Sequence, residues 1–269
     1  MNIIKPEIVI HLAAQSTLDF ITMKKKYYKK NNIVGTKNIV EITKKLNVEK
    51  FIFASTASVY KTKNKKLREN DKLLPNNIYG KTKKSNEDYI QKNFKNSKVK
   101  FCILRFFNVC SSYNNELGEF HNPETHLIPK VVNALSKNKL INIYGEKFNT
   151  EDGTCIRDYI HIRDILRGIE KSIKFLNKNS SEIFNLGSGF GISVKEIINK
   201  SSKILNKKPS IQIRKRRKGD VDKLVCSITK AKEKLSWSPK FSKINKIIND
   251  EIDWQLHLKS NKLIRSFYK

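Results

Sequence analysis

Phe51-Ile52-Phe53-Ala54-Ser55-Thr56-Ala57-Ser58-Val59-Tyr60 is the stretch whose reading decides the fold. Its first four residues are apolar with no alternation, the pattern of a strand buried on both faces, as in a parallel sheet. The run passes directly into small, hydroxyl-bearing residues. In an open parallel sheet ligands gather at the carboxyl ends of strands, so these hydroxyls stand where chemistry is expected. Working outward on the N-terminal side, residues 24–47 carry an amphipathic stripe of Ile33, Val34, Ile39, Val40, Ile42 and Leu46, which predicts a long helix. Before it, Ile8-Val9-Ile10-His11-Leu12-Ala13-Ala14 reads as a second buried strand. On the C-terminal side, the turn Pro75-Asn76-Asn77 starts a helix predicted over 78–94, and Lys100 to Phe107 is a third buried strand. The β-α-β-α-β alternation predicts an α/β fold, a doubly wound, Rossmann-like parallel sheet.

From about residue 109 the texture changes, and a smaller α/β lobe is expected over 109–269, with segments near 140–186 partly returning to the first unit (1–108). Residues 114–129 read as a long polar loop, a class of segment that often binds ligands. Helices are predicted at 127–140, 158–176, 194–205, 229–235 and 243–258, and strands at 141–144, 183–186 and 211–213.

The chain has 269 residues and a net charge of +30, with 38% hydrophobic residues including 14 Phe and 9 Tyr. That supports a sizeable core, and the charge favours anionic ligands. Lysines are spread along the chain and no nucleic-acid motif appears, so a nucleic-acid surface is not expected. Cys102, Cys110, Cys155 and Cys226 form no C-x-x-C pair, and no Cys/His group has zinc spacing. They read as reduced thiols of a cytoplasmic protein, with no metal site. No apolar stretch reaches the ~18 residues of a membrane span.

Within the 78–94 segment, Tyr79 and Lys83 are four apart and share one helical face. A phenol is a poor base at pH 7, but a neighbouring ammonium favours the phenolate. The pair is therefore a candidate proton carrier for a sugar or alcohol hydroxyl. Taken alone, Y-x-x-x-K is more often a surface tyrosine in a lysine-rich helix.

Several further stretches act together. They are Val9–Ala14, Asn32-Ile33-Val34-Gly35-Thr36, Phe51–Tyr60, Leu104-Arg105-Phe106-Phe107-Asn108, Asn122-Pro123-Glu124-Thr125-His126-Leu127-Ile128-Pro129 and Tyr144-Gly145. To these add Thr150-Glu151-Asp152-Gly153-Thr154-Cys155-Ile156-Arg157-Asp158-Tyr159-Ile160-His161, Phe184–Gly189 and Arg216-Arg217-Lys218-Gly219-Asp220. With these residues the chain resembles the extended short-chain dehydrogenase/reductases that act on nucleotide sugars (the NAD-dependent epimerase/dehydratase family), and among them the UDP-glucose 4-epimerases. The 150–161 stretch carries the resemblance to the epimerase branch; the Tyr/Lys pair marks only the superfamily.

The resemblance implies a cofactor, NAD, and a substrate, UDP-glucose or UDP-galactose, interconverted by oxidation and reduction at C4. It makes Tyr79 the acid/base, Lys83 its modulator and a ligand of the nicotinamide ribose, and Thr56 a hydroxyl bonded to the sugar oxygen and the phenol. Leu12, Ala13, Ala14, Gln15, Asn32 and Phe107 become further cofactor contacts. Asn108, Leu127, Tyr144, Arg157, Arg217 and Asp220 become substrate contacts, with Leu127 and Tyr144 flanking the uracil, the arginines on the diphosphate and Asp220 on the nucleoside ribose. Where sugar dehydratases carry Asp-Glu after the threonine, this chain has Ala57-Ser58, which favours epimerisation. Leu224 stands near the sugar C2 substituent and leaves a UDP-N-acetylglucosamine 4-epimerase, or another UDP-sugar epimerase, dehydratase or decarboxylase, as alternatives. His161 reads as structural. Helices 24–47 and 78–94 are the implied homodimer surface. No G-x-x-G-x-x-G occurs in the sequence, so by the same resemblance a truncated N-terminus and impaired activity are expected, with an inactive UDP-sugar-binding or polyanion-binding remnant as the non-enzymatic alternative.

Overall fold

A computed structural model describes residues 5–16, 25–62, 65–114, 116–121, 123–217 and 219–261. Four parallel strands form the principal sheet in the order Ile8–His11, Lys50–Thr56, Lys100–Phe106, Glu182–Leu186. The two central strands are almost wholly buried, as their unbroken apolar runs require. Both faces are covered. On one, Phe51, Phe53, Ile103 and Phe101 pack with Val40, Ile90 and Phe94 from two helices. On the other, Ile52, Cys102, Leu104 and Phe184 meet Ile165, Ile169, Leu176 and Trp237.

The helix expected over 24–47 is a continuous helical run with a wide turn inside it: Lys25–Tyr28, a π-helical Lys29–Val34, then Gly35–Lys45. The wide turn carries Asn32, which is 1% exposed. Its amide bonds back to the chain after the first strand, accepting from Gln15 N at 2.7 Å and donating to Gln15 O at 3.1 Å. The Ile78–Phe94 helix starts where the turn predicts, and Asn77 caps it by accepting from Gly80 N at 2.7 Å. A Cβ on Gly80 would collide with the Ser58 carbonyl, so this glycine lets the helix lie directly on the hydroxyl-rich segment.

A separate core unites Ile128, Val131, Val132, Leu135, Ile141, Ile143, Ile197, Ile198, Ile247 and Ile248. Leu140–Tyr144 and Ser210–Arg214 pair in parallel beside it. Three expectations are corrected. Residues 158–161 are not helical: Tyr159–His161 is a strand paired with Asn108–Cys110, and the helix is Ile162–Lys178. His161 ends that strand and caps the helix, its ring nitrogen accepting from Arg163 N. The 114–129 segment, expected as loop, carries the short strand Leu117–Gly118, which pairs with Ser112–Tyr113. The helix after it closes at Ser136 instead of 140.

Candidate active site

The carboxyl ends of the first two strands, the Ala57–Val59 turn and the start of the Ile78–Phe94 helix converge on one place. Lys83 is 2% exposed and donates to Ala54 O at 2.6 Å. Its ammonium stands 4.7 Å from the Phe53 ring centre and 5.9 Å from that of Tyr79. Thr56 and Tyr79 share a side-chain hydrogen bond. Thr56 Oγ1 also accepts from Ser58 N at 3.2 Å, which fixes the hydroxyl at the strand end.

The sequence expectation that Lys83 lowers the Tyr79 pKa is corrected. Burial raises the phenol to about 12, the Thr56 bond opposing it and Tyr28 adding to it. Burial also lowers Lys83 to about 8, against the pull of Glu87. Desolvation penalises the charged form of each group and is the largest cause of both shifts. At pH 7 the site therefore holds a phenol and an ammonium.

Beneath this pair lies a polar network to which the sequence reading assigned no role. Glu87, one turn beyond Lys83, accepts two bonds from Arg105, at 3.1 Å (Nε) and 2.7 Å (Nη2), and a short one from Ser55. Arg105 also donates to the Tyr60 hydroxyl at 2.8 Å, which donates to Asn185 at 2.6 Å. Glu87 and Arg105 are both essentially inaccessible. The one available signal was a glutamate four residues after Lys83 on the same helical face.

The predicted cofactor contacts divide into two groups. Leu12 and Ala13 are exposed and Ala14 and Gln15 half-buried at the mouth of the first strand, open to a ligand. Asn32 and Phe107 are enclosed. The Asn32 amide also donates to Thr82 at 3.1 Å, and Phe107 packs with Ala57, Val59, Tyr60 and Leu67.

Of the predicted substrate contacts, Tyr144, Arg157, Arg217 and Asp220 come together. Asp220 lies 3.6 Å from Arg157 and accepts from Arg217 Nε at 3.1 Å. The Arg217 guanidinium is 4.9 Å from the Tyr144 ring centre. Arg157 is tied down by bonds to Val221 O and Ile156 O. Asn108 is half-buried, held by Asp158 O through its N–H. Leu127 opens the helix at the edge of the second core, and Leu224 is half-buried against the Phe107 cluster. A hydrogen bond links the two segments: Asn76, three residues before Tyr79, donates to Gly219 O at 2.9 Å, two residues beyond Arg217.

The residues at the Tyr79 end fit the nicotinamide ribose of NAD. A buried ammonium with three donors has one described bond to protein, and small residues border it at a strand mouth.

Comparisons agree with this geometry. A family profile described as GDP-mannose 4,6 dehydratase matches residues 1–250. A UDP-glucose 4-epimerase of Halalkalibacterium halodurans is 34% identical over 250 residues, 91% of this chain and 75% of that protein. A crystal structure of a UDP-glucose 4-epimerase superposes with a TM-score of 0.88 at 37% identity, covering 95% of this chain and 79% of that one. The Bifidobacterium longum enzyme in complex with NAD+ and UDP superposes at 0.86 with 29% identity, covering 93% and 76%.

Proposed function

Because the chain belongs to the UDP-glucose 4-epimerase family, we propose that it interconverts UDP-glucose and UDP-galactose by C4 oxidation and reduction with NAD. The observation that supports the reading is the Asn76–Gly219 bond, which ties the segment three residues before Tyr79 to the loop that carries Arg217 and Asp220. A sugar nucleotide has its reacting hydroxyl and its diphosphate at opposite ends, and these two clusters match that polarity.

NAD, when bound, takes the C4 hydride and gives it back. To take the O4 proton as the hydride departs, Tyr79 must be a phenolate, so its own proton first passes to water. It then holds the O4 proton as a phenol and returns it to O4 when the hydride comes back to the opposite face of the 4-keto sugar. Thr56, already bonded to Tyr79, holds the sugar oxygen against the phenol oxygen. Lys83 keeps positive charge beside the ring and stabilises the phenolate that accepts the proton. Leu12, Ala13, Ala14 and Gln15 border the cofactor, and Asn32 acts through its hold on Gln15. Arg157 and Arg217 bind the diphosphate, Asp220 the ribose, Tyr144 and Leu127 the uracil, and Asn108 the UDP-sugar. No carboxylate stands at Ala57-Ser58, so the elimination of water is not supported.

We place the cofactor unit in 1–108 and the substrate lobe in 109–269, with Glu182–Leu186 returning to the large sheet. The chain acts in the cytoplasm as a homodimer through helices 24–47 and 78–94. The exposed side chains of Val34 and Ile42, eight residues apart on one helical face, support that pairing. Light scattering that gives the mass of a single chain at every salt concentration would remove the dimer. For the activity, UDP-galactose is incubated with chain and NAD, and the UDP-sugars are separated. UDP-glucose is the expected product, and Tyr79→Phe should lower its rate by about 10²–10⁴-fold. An undiminished rate in that variant overturns the assignment.

A further inference from the structure

Away from Tyr79, the loop between the Leu117–Gly118 strand and the Leu127–Ser136 helix collects Glu119, His121, Glu124 and His126. One ligand atom from each lies within 4.8 Å of all the others. His121 Nδ1 is 3.1 Å from Glu119 Oε1 and 3.7 Å from Glu124 Oε1. Metal–ligand bonds of ~2.0–2.2 Å in a tetrahedron place neighbouring ligand atoms about 3.3–3.6 Å apart. The two His121 separations bracket that spacing, and the His126–Glu119 pair, now joined by a direct hydrogen bond, would have to part to admit the ion.

The loop is also held in place. Glu124 Oε1 accepts from Thr125 N at 2.7 Å and His126 N at 2.8 Å. The Trp254 indole donates to Glu119 O at 2.7 Å, and Glu119 is bonded to the His126 ring. Two unsatisfied atoms mark the site independently. His121 Nδ1 is buried without a hydrogen-bond partner despite its carboxylate neighbours. Glu251, 1% exposed on the Ile244–Ser260 helix, keeps Oε2 unpartnered, while Gln255 donates to its Oε1 at 2.8 Å. The charges that act on Glu251 are those of Glu119, Glu124 and His126. Among the described residues, four buried side-chain polar atoms lack a partner, and these are two of them.

We propose that Glu119, His121, Glu124 and His126 form a site for one zinc-type divalent transition-metal ion, with Glu251 as an outer carboxylate. Two imidazoles with two carboxylates suit Zn2+, Co2+ or Ni2+, whereas Mg2+ and Ca2+ prefer oxygen alone. Four protein ligands close the coordination sphere, so the ion is structural. It fastens the loop in front of Leu127 to the Ile244–Ser260 helix. The sequence reading expected no metal because it looked for cysteine–histidine spacing, and here carboxylates alternate with the histidines.

The test uses the untagged full chain, stripped with chelator and dialysed against Zn2+ or Co2+. One ion per chain, the visible absorption of tetrahedral Co2+, and a melting temperature raised by Zn2+ but not by Mg2+ are expected. His121→Ala should weaken binding by more than about tenfold, while His257→Ala, off the site, leaves it unchanged. X-ray absorption of the unmodified zinc-loaded chain should count two imidazoles, which keeps the proposal testable if the variant fails to fold. Absence of binding, octahedral Co2+, or undiminished binding in His121→Ala overturns it.

Discussion

Lys83 and Tyr79 are displaced in opposite directions by the same burial, and that gives the pair its pH dependence. The ammonium titrates near 8 and the phenol near 12. The active pair is a phenolate beside an ammonium. Below about pH 8 the cation is present and the phenolate fraction grows with pH; above it the loss of the cation offsets that growth. The turnover number should therefore rise with pH to about 8 and level above it. Lys83→Met should remove this levelling and lower turnover by about 10²-fold or more. His11 is an internal reporter of that charge. Burial, and then the Lys83 charge, lower its pKa to about 4, and its Nε2 stays 2.9 Å from Thr36 Oγ1. In Lys83→Met the His11 imidazole should titrate at higher pH, read by NMR of its ring protons. An unmoved His11 would mean that Lys83 carries no charge in the folded chain. The candidate residues at this scale were legible in the sequence because helical spacing puts Tyr79 and Lys83 on one face. The direction of the Tyr79 shift was not, because it depends on how much water the fold excludes.

At the scale of elements, the Glu87–Arg105 pair fastens the Ile78–Phe94 helix to the third strand. A buried charge that loses its partner costs about 3–5 kcal/mol, whereas removal of both can be nearly neutral. Glu87→Leu and Arg105→Leu should each destabilise by about that amount in denaturant melts, and the double variant should recover most of it. Additive losses would show that the two do not act as a pair. Glu87→Gln has a second effect: it withdraws the negative charge that raises the Lys83 pKa, so the pH at which turnover levels should move lower. The sequence revealed the helix itself, through Pro75-Asn76-Asn77 and the Asn77 cap, and the large strands through unbroken apolar runs. It did not reveal the network, because Tyr60 and Asn185 are 125 positions apart and no local pattern announces their contact. Two- and three-residue strands such as Ser112–Tyr113 and Tyr159–His161 escape for a related reason. They are too short for a period of two to register, and the helical periodicity from 162 onward runs back over the second of them.

Across the whole molecule, two different cores must be held in register for one ligand to touch both. The large sheet positions Tyr79, and Arg157, on a small sheet outside it, meets Asp220, which also holds Arg217. The Arg157 side chain is 14% exposed and held by Val221 O, so its charge is less screened by salt than that of the surface lysines. Arg217, 58% exposed, is held by Asp220 and Tyr144. A net charge of +30 attracts any anion loosely; among the described residues only this pair offers two guanidiniums converging on one carboxylate, as a nucleoside diphosphate with a ribose would use them. UDP at a hundred times its dissociation constant should therefore stabilise the chain by about 2.7 kcal/mol, seen as a rise in melting temperature that inorganic phosphate at equal concentration does not reproduce. Arg157→Ala should abolish most of that rise, because it removes the less exposed of the two guanidiniums. Asn76→Ala should weaken UDP-sugar more than UDP, because the bond it removes serves the alignment of the sugar with Tyr79 and not the grip on the diphosphate. Equal weakening of both ligands would show that Asn76 merely stiffens the Arg217 loop, and the polarity assigned to the site would then rest on Tyr79 alone.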